Sequence, residues 1–512
     1  MKKIFILLAI TTAMWSCEDA TDIVQPSEFN FEAAFRTVAD VKNATFVLYN
    51  SANSASGLEF TAQFTDETSL GASGNQGSDT HRLQINVSNA FAGQLWSRNY
   101  SVVRNANILF TGAALVTPAD AAEQALYDES LAEAYALRAY AYSQLLAYFA
   151  VDLSDPSSLA VPIFDDIPSA NFAPTRSTVQ EVVDKINDDL MQADALFASA
   201  GTAYSVEFTS PVFVNALRAR VAAYVGDYGP ASTFANAVLA NFTLPTTASS
   251  TDYRQVWEDV AGVAQTQEVI FKFNNTLATS GVGNRRLGQV FNTNASTPSG
   301  APLYEMSRVL FDQLTATETN FGDIRRRLYI DPAVFTGGWI VGDYPNDPNP
   351  QINDRLVVDK YPGDPSLPGL VGGYTNDQKV FRTVEMHFIL AEAAAAAGNL
   401  NGAGGVGAQL KLIRDARYTT PQPATNFTSP QEAWNAIVTE RKLELAFEGH
   451  RYIDIKRLGA LANQGYDRND TDCSLYPSSE CDISFNDFRA RALPIPQSEL
   501  QGNPGITQNP MY

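Results

Sequence analysis

Residues 439–459 hold the densest set of side chains that could perform acid–base chemistry, in the sequence TERKLELAFEGHRYIDIKRLG. Leu443, Phe447 and His450 recur at three- and four-residue steps, which predicts an amphipathic helix with Gly449 as a breaker. Charges of alternating sign surround these apolar positions. Charged groups can be buried beside apolar side chains only if they pair with one another. We therefore favour a structural ion-pair cluster over a catalytic acid or base.

Motifs for other kinds of catalysis are missing from the sequence. The three histidines have neither HExxH nor Cys/His metal-site spacing, and no GxSxG occurs. Residues 402–407 match GxGxxG, but an alanine-rich helical segment precedes them where a nucleotide site needs a strand. The acidic residues Asp165 and Asp166 are adjacent, whereas glycosidase carboxylates face each other across a bond. We expect a loop between helices at 402–407 and a protein that is not an enzyme.

One polar loop could bind a cation. Asp467, Asn469 and Asp472 could supply oxygen ligands to calcium. The later bidentate glutamate of an EF-hand is missing, however. We expect no cofactor and no metal, and calcium in this loop is the alternative.

The N-terminus has the parts of a lipoprotein signal peptide. Two lysines precede an apolar core from Ile4 to Ile10, which is too short to span a membrane, and a small residue precedes Cys17. We expect residues 1–16 to be removed, Cys17 to be lipidated, and residues 17–27 to form a tether. A plain secretory signal is the alternative.

Export would place the two remaining cysteines in oxidising surroundings. Cys473 and Cys481 lie eight residues apart in a polar loop. A disulfide that closes this loop is predicted. A free-thiol or metal pair is less favoured, because no histidine or third cysteine lies nearby in the sequence.

Composition limits both the fold and the ligand. The chain has 512 residues, of which 45% are hydrophobic and 11% aromatic, enough for a large core. Its formal net charge is -21, and removal of Lys2 and Lys3 with the signal peptide would make the charge more negative still. Such a surface repels nucleic acid and polyanionic substrates at long range. We expect no nucleic-acid partner and favour uncharged ligands.

Helical patterns dominate two parts of the chain. Helical periodicity recurs within residues 28–242 and 384–512, with a strand predicted at Val269–Phe273 in the loop-rich region 243–383 between them. Small and large residues alternate in the first part, as in tetratricopeptide hairpins. Ser51–Val87, rich in Ser, Gly, Thr and Asn, is predicted to be a long, partly ordered loop. The expected fold is mainly α with minor β.

The charged C-terminal stretch resembles the signature of the SusD/RagB family of Bacteroidetes outer-membrane lipoproteins. The residues that carry this resemblance are Glu444–Arg451, Asp454 and Arg457, and the block from Trp96 to Asn107 agrees in order. The resemblance covers Cys17 to Tyr512. It implies one SusD-like domain over 28–512, in which degenerate tetratricopeptide-like hairpins form a scaffold and residues 243–383 form a ligand-binding insertion.

The resemblance also implies location and function. Acidic residues after Cys17 are similar to the tag that directs such lipoproteins to the cell surface. The protein would capture oligo- or polysaccharide and act as a lid on a SusC-like TonB-dependent transporter. The acidic surface favours a neutral glycan, such as a β-glucan, an α-glucan or xylan, over an anionic polymer, and we prefer a β-glucan. A peptide-binding, RagB-like lid is the alternative, and a glycoside hydrolase is a remote one.

A glycan site needs aromatic platforms with a polar rim. Trp257 and Trp434 lie in helical contexts and are expected in the core. In starch-binding family members, a Trp and an Asn with the spacing of Trp96 and Asn99 contact sugar. The full set of expected glycan-binding residues, with loop aromatics and rim groups, is Trp96, Asn99, Trp339, Tyr344, Asp66 and Arg82.

Overall fold

A computed structural model describes residues 30–71, 79–167, 173–260, 262–263, 265–275, 291, 302–367, 375–473 and 481–512. The predicted signal peptide, Cys17 and the tether lie outside these ranges. The described residues are mostly helical and include two short two-stranded antiparallel sheets. The mainly α class with minor β is therefore confirmed.

The first half of the chain forms a helical scaffold. Its helices are α1 (Phe31–Ala34), α2 (Val38–Ala52), α3 (Ser56–Phe64), α4 (Ala90–Ala113), α5 (Ala121–Phe149), α6 (Val179–Ala200), α7 (Pro211–Tyr224) and α8 (Tyr228–Leu239). Most pack against a helix close in sequence: α5 contacts both α4 and α6, and α7 contacts α8. Thr178 starts α6 with a capping box that it forms with Glu181.

The second half alternates short elements with longer helices. The helices are α9 (Ser250–Gln255), α10 (Arg308–Phe321), α11 (Arg325–Tyr329), α12 (Pro332–Thr336), α13 (Pro350–Asn353), α14 (Thr383–Ala396), α15 (Val406–Asp415), α16 (Pro430–Glu444), α17 (Arg451–Ala462), α18 (Asp470–Cys473) and α19 (Gln497–Gly502). Residues 402–407 lie between α14 and α15 and at the start of α15, which confirms the predicted loop between helices.

The strands connect distant parts of the chain. β1 (Thr68–Leu70) pairs with β3 (Tyr304–Met306), and β2 (Val269–Phe273) pairs with β4 (Gln378–Arg382). The strand predicted at Val269–Phe273 is thus confirmed. Helix α10 follows β3 directly, after the single residue Ser307.

The structure corrects the prediction of a long loop at Ser51–Val87. Helix α3 and strand β1 lie within it, and the residues from Leu58 to Leu70 are buried. Some polar side chains here form hydrogen bonds inside the protein; for example, Thr68 Oγ1 donates to the Ala62 carbonyl over 2.6 Å. The polar composition suggested a loop because the sequence alone does not show these internal hydrogen-bond partners.

The charged C-terminal stretch is two helices and a turn. Helix α16 ends at Glu444, Phe447 and Gly449 have positive φ angles of 66° and 84°, and α17 begins at Arg451. Gly449 is therefore a breaker, as predicted. Leu443, Phe447 and His450 therefore do not share the face of one continuous helix, because the turn at Phe447 separates α16 from α17.

Two apolar clusters form the core. The larger one contains the scaffold helices together with β2 and β4, and includes Trp434. The second contains the insertion and includes Trp257. Both tryptophans are buried, as predicted. Helix α3 and residues 443–447 also contribute to the second cluster, so these two segments connect the scaffold to the insertion.

Candidate functional site

The charges of α16 form a buried ion-pair cluster, as predicted. Glu444 lies 3.0 Å from Arg417 and 3.1 Å from Arg382, and all three side chains are buried. Burial alone would raise the pKa of Glu444, but Arg417 and Arg382 lower it below its usual value. A carboxylate that stays ionised between guanidinium groups stabilises the junction between scaffold and insertion. It is poorly suited to proton transfer.

Asp66 belongs to a second buried cluster. Its carboxylate accepts hydrogen bonds from Arg451 at 2.8 Å and lies 2.9 Å from the Lys442 ammonium. Burial would raise its pKa, yet Arg451 and Lys442 lower it. Asp66 has no exposed surface. The expected role of Asp66 in a glycan-binding rim is therefore corrected, because both carboxylate oxygens are enclosed by these partners.

Trp96 packs inside the scaffold. Its ring makes an edge contact with Phe149 at 5.0 Å between centroids and a tilted contact with Tyr100 at 4.9 Å. The indole Nε1 donates to Glu499 over 3.2 Å, and only 6% of the residue is exposed. The expected glycan platform at Trp96 is corrected, because neighbouring rings cover its faces.

Asn99 lines a cleft of about 60 Å³ where α3, α4, α5, α7, β4 and the turn before α17 meet. Its Nδ2 donates to the Leu95 carbonyl over 2.7 Å. The other neutral polar residues in the lining include Gln144, Tyr224, Gln378 and His450. The two residues thus differ in placement: the Asn99 amide lines a cavity, whereas the Trp96 indole packs in the core.

Trp339 is half-buried in the insertion, beside Gly338, whose φ is 71°. The carbonyl of Trp339 accepts the Arg355 N–H over 2.8 Å, and the Arg355 guanidinium lies 5.8 Å from the ring centre. These contacts hold an incompletely covered ring in place. Of the six expected glycan-binding residues, this one has the properties of an aromatic platform.

Tyr344 is buried, contrary to the expectation of a loop aromatic that contacts ligand. Its hydroxyl donates to Asp472, and the Arg308 guanidinium lies 5.2 Å from its ring centre. The remaining expected rim residue, Arg82, is half-buried.

The segment from Asp467 to Cys473 brings parts of the expected site together. The Asp467 N–H donates to Asp66 over 3.4 Å, and Asp472 accepts from Tyr344. At its end, Cys473 and Cys481 form the predicted disulfide, with their Cα atoms 5.6 Å apart. In the described parts of the chain, no three His, Cys, Asp or Glu side chains are grouped closely enough to hold a metal ion.

Sequence reasoning missed most of the cleft. Gln144 was the detectable signal, because it is a polar residue inside the apolar run AYAYSQLLAYF of α5. Gln378, Tyr224 and His450 come from elements far apart in sequence, so no local pattern could group them. The cleft exists only in the tertiary structure.

Comparisons with known proteins match this architecture. A model of the SusD family matches residues 338–512, and one described as "Starch-binding associating with outer membrane" matches residues 18–221. The SusD-like protein P2 of Formosa agariphila is 25% identical, over 99% of this chain and 98% of that protein.

Solved structures agree in fold. A SusD superfamily protein from Bacteroides thetaiotaomicron has a TM-score of 0.72 at 21% identity, covering 93% of this chain and 100% of its own. A laminarin-binding SusD-like protein has a TM-score of 0.67 at 22% identity, with coverage of 93% and 100%. Across the described residues, no helix is both long and apolar enough to cross a membrane. Family models near both ends, similarity along the chain and the shared fold establish that this protein belongs to the SusD/RagB family.

Proposed function

We propose that this protein is a lipid-anchored glycan-binding protein of the outer cell surface. It captures oligo- or polysaccharide and delivers it to a SusC-like TonB-dependent transporter. Three features support this function: family membership, the matching family model described as starch-binding and outer-membrane-associated, and the lipoprotein motif that ends at Cys17. No chemical step is required of the protein.

The half-exposed ring of Trp339 is the observation that carries the binding proposal. A sugar ring presents C–H groups that stack on an aromatic face, and a rigidly held aromatic loses little entropy when it binds. Arg355 holds the Trp339 backbone by a 2.8 Å hydrogen bond and lies beside the ring. The Arg355 Nε also donates to the Ile352 carbonyl over 2.9 Å, which fixes the guanidinium beside the indole.

Charge favours a neutral ligand. The chain carries a net charge of -21, so an anionic polymer would be repelled at long range. One structural neighbour is described as laminarin-binding, and laminarin is a neutral glucan. We therefore favour a neutral glucan such as a β-glucan as the ligand.

Calorimetric titration tests this function. The soluble chain that starts at Glu18 is titrated with β-glucan, α-glucan and xylan oligosaccharides and with mixed peptides. We expect saturable binding of one glycan, weakened by about 1–3 kcal/mol in Trp339→Ala, as for loss of a central aromatic contact. Phe335→Ala is the matched control, because Phe335 is also a half-buried aromatic of the insertion.

Other outcomes of this titration would contradict the proposal. Binding of peptides alone would replace the glycan function with a peptide-binding one. Glycan binding that is equal in the wild type and Trp339→Ala would leave the function in place but disprove this site. Release of shorter sugars on prolonged incubation would show a hydrolase.

Delivery to a transporter needs a separate test. The full-length lipidated protein, purified from its native outer membrane in mild detergent, should carry a TonB-dependent barrel protein with it. A Cys17→Ala variant should lose membrane attachment, because it lacks the lipidated residue. If no barrel protein copurifies with the lipidated form, the proposed delivery to a transporter is contradicted.

A further inference from the structure

We propose that the cleft lined by Asn99, Gln144, Tyr224, Gln378 and His450 binds a single neutral sugar ring, at a site distinct from Trp339. The inference rests on the proposed function in one respect, because a glycan-binding protein would meet the sugars that could enter this cleft. It goes beyond that function by assigning a second subsite. Only the first of these five residues was expected to contact a glycan.

Unused hydrogen-bonding capacity is the first argument. Among the described residues, no hydrogen bond is made by the side chains of Gln144, Tyr224 or His450. Gln378 Oε1 is buried and likewise lacks a hydrogen-bond partner in the described structure. Gln144, Gln378 and His450 are half-buried and Tyr224 is buried, so these polar groups can bond to water or to a polar ligand in the cleft. Together these groups offer amide, phenol and imidazole donors and acceptors, which suit hydroxyl groups.

The charged residues of the lining give the second argument, because each is already neutralised. Arg220 forms a paired contact with Glu385 at 2.6 and 2.7 Å. The Lys379 ammonium lies 2.6 Å from Asp259. The third charge is neutralised in the same way, since the Glu448 carboxylate lies 2.8 Å from both Lys360 and Arg382.

His450 adds no charge. Burial, and then the positive charge of Arg220 and other nearby arginines, holds its pKa well below the usual range. The ring is therefore neutral near pH 7 and offers one donor and one acceptor. With every charged group paired and the imidazole neutral, the cleft offers no free charge to an anion or a cation. A charged sugar would lose its hydration without gaining a partner.

Size gives the third argument. The volume of about 60 Å³ accommodates about four to six water molecules. That is the scale of one sugar ring and not of an oligosaccharide. Leu95 and Ile453 also line the cleft and provide apolar contact for C–H groups.

Two variants test the cleft directly. Tyr224→Phe removes a hydroxyl without a hydrogen-bond partner among the described residues, so the protein should fold normally. Gln144→Leu removes an amide at nearly constant volume. Tyr142→Phe is the matched control: it removes a phenol of α5 that donates to the Phe164 carbonyl and accepts the Phe164 N–H. Tyr142 does not line the cleft.

Glucose, galactose, mannose and xylose are the neutral probes, with glucosamine and glucuronate as charged probes of similar size. We expect saturable calorimetric binding of at least one neutral sugar, with weaker binding of both charged sugars. Each cleft variant should weaken this binding about 2- to 10-fold, as expected for one neutral hydrogen bond. Tyr142→Phe should keep the affinity but lower the melting temperature.

The inference is overturned if none of the four neutral sugars binds saturably, which would leave only water in the cleft. It is also overturned if binding is equal in both cleft variants and the wild type, or if charged sugars bind as tightly as neutral ones. Titration of oligosaccharides with Trp339→Ala separates the two proposals. Oligosaccharide binding that depends on Trp339, without single-sugar binding, disproves the cleft and keeps the proposed function; binding of peptides alone disproves both.

Discussion

The carboxyl group of Glu67 accepts a hydrogen bond through Oε1 from the backbone N–H of Phe447 over 3.2 Å, at a residue whose φ is 66°. A left-handed conformation is rare for a bulky residue and costs about 1–2 kcal/mol. The Tyr361 hydroxyl donates to the Phe447 carbonyl over 2.8 Å, so both backbone polar groups are satisfied. Glu67, just before β1, and Tyr361, in the insertion, thus stabilise the turn between α16 and α17. The same turn supplies Glu448, Gly449 and His450 to the cleft.

Glu67 should make stability depend on pH. Burial and the adjacent Asp66 raise its pKa to about 8 from a usual 4.5. The folded protein therefore keeps a proton that the unfolded chain loses above pH 4.5. The stability from this group is complete below pH 4.5 and falls as the pH rises to about 8, by up to about 1.4 kcal/mol per pH unit.

Urea unfolding at pH 5, 6.5 and 8 checks this dependence. Glu67→Gln, which keeps an acceptor for Phe447 but cannot ionise, should reduce the loss of stability between pH 5 and 8. The exposed substitution Glu32→Gln is the control and should leave the dependence as in the wild type. Equal pH dependence in Glu67→Gln and the wild type would show that Glu67 ionises normally in the folded state.

Gly449 should tolerate a side chain less well than a glycine with similar backbone angles. Its φ is 84°, and an added Cβ would lie 3.2 Å from Leu58 Cα. Gly398 has a φ of 72°, but nothing lies within 4 Å of a Cβ built there. Gly398→Ala should therefore cost only the left-handed penalty of about 1–2 kcal/mol, and Gly449→Ala should cost more. Chemical denaturation measures both, and equal costs would show that α3 moves away freely.

Loss of Asp66 should destabilise the protein strongly. Asp66→Asn would leave the buried Arg451 and Lys442 without a carboxylate, at a cost of about 3–5 kcal/mol. Asp312→Asn is the control, because Asp312 pairs with Arg308 on the surface with 55% of its side chain exposed, and should cost less than about 1 kcal/mol.

The pH dependence of Asp66→Asn gives a second measurement. Because the folded pKa of Asp66 is lowered from 3.8, its contribution to stability is complete above pH 3.8 and is lost as the pH falls further. The difference in unfolding free energy between the wild type and Asp66→Asn should therefore shrink under acid. A difference that stays constant would contradict the lowered pKa.

These residues show how far the sequence could predict the structure. Helices with caps and regular apolar spacing, such as α6 after Thr178, were predictable because their signals are local. The pairing of charges on α16 was predictable in kind, since buried charges require partners. The partners themselves were not predictable, because Arg382 lies at the end of β4 and Arg417 lies in the turn after α15.

The candidate site was harder to predict for a physical reason. Trp96 and Asn99 are one helical turn apart. Phe149 nevertheless packs against Trp96, whereas Asn99 lines a cavity. Spacing places residues on a helical face but does not say which part of that face another element covers. The prediction that Asp66 lies on the rim of the glycan site was wrong for the same reason, because its partner Arg451 lies 385 residues away in sequence.

Trp96 and Trp339 should respond to substitution in opposite ways. Trp96→Ala removes a buried ring and the hydrogen bond to Glu499, and should cost about 3–5 kcal/mol of unfolding free energy. Trp339→Ala should cost less, because its ring is only half-buried, but should weaken glycan binding. Thermal unfolding and glycan titration of both variants check this contrast. Glycan binding that is lost in a fully folded Trp96 variant and kept in the Trp339 variant would reverse the assignment.

The disulfide between Cys473 and Cys481 should stabilise the segment that contacts Asp66 and Tyr344. It closes a loop with a sequence separation of 8, for which chain entropy predicts about 2–3 kcal/mol. Replacing both cysteines by serine should lower the free energy of unfolding by about that amount. Asp472, next to Cys473, accepts a hydrogen bond from the Tyr344 hydroxyl. Without the disulfide, the backbone amides of residues 467–473 should therefore lose more protection from hydrogen exchange than the amides of α5 do. A uniform fall in both places would show that the disulfide stabilises the whole fold and not this segment.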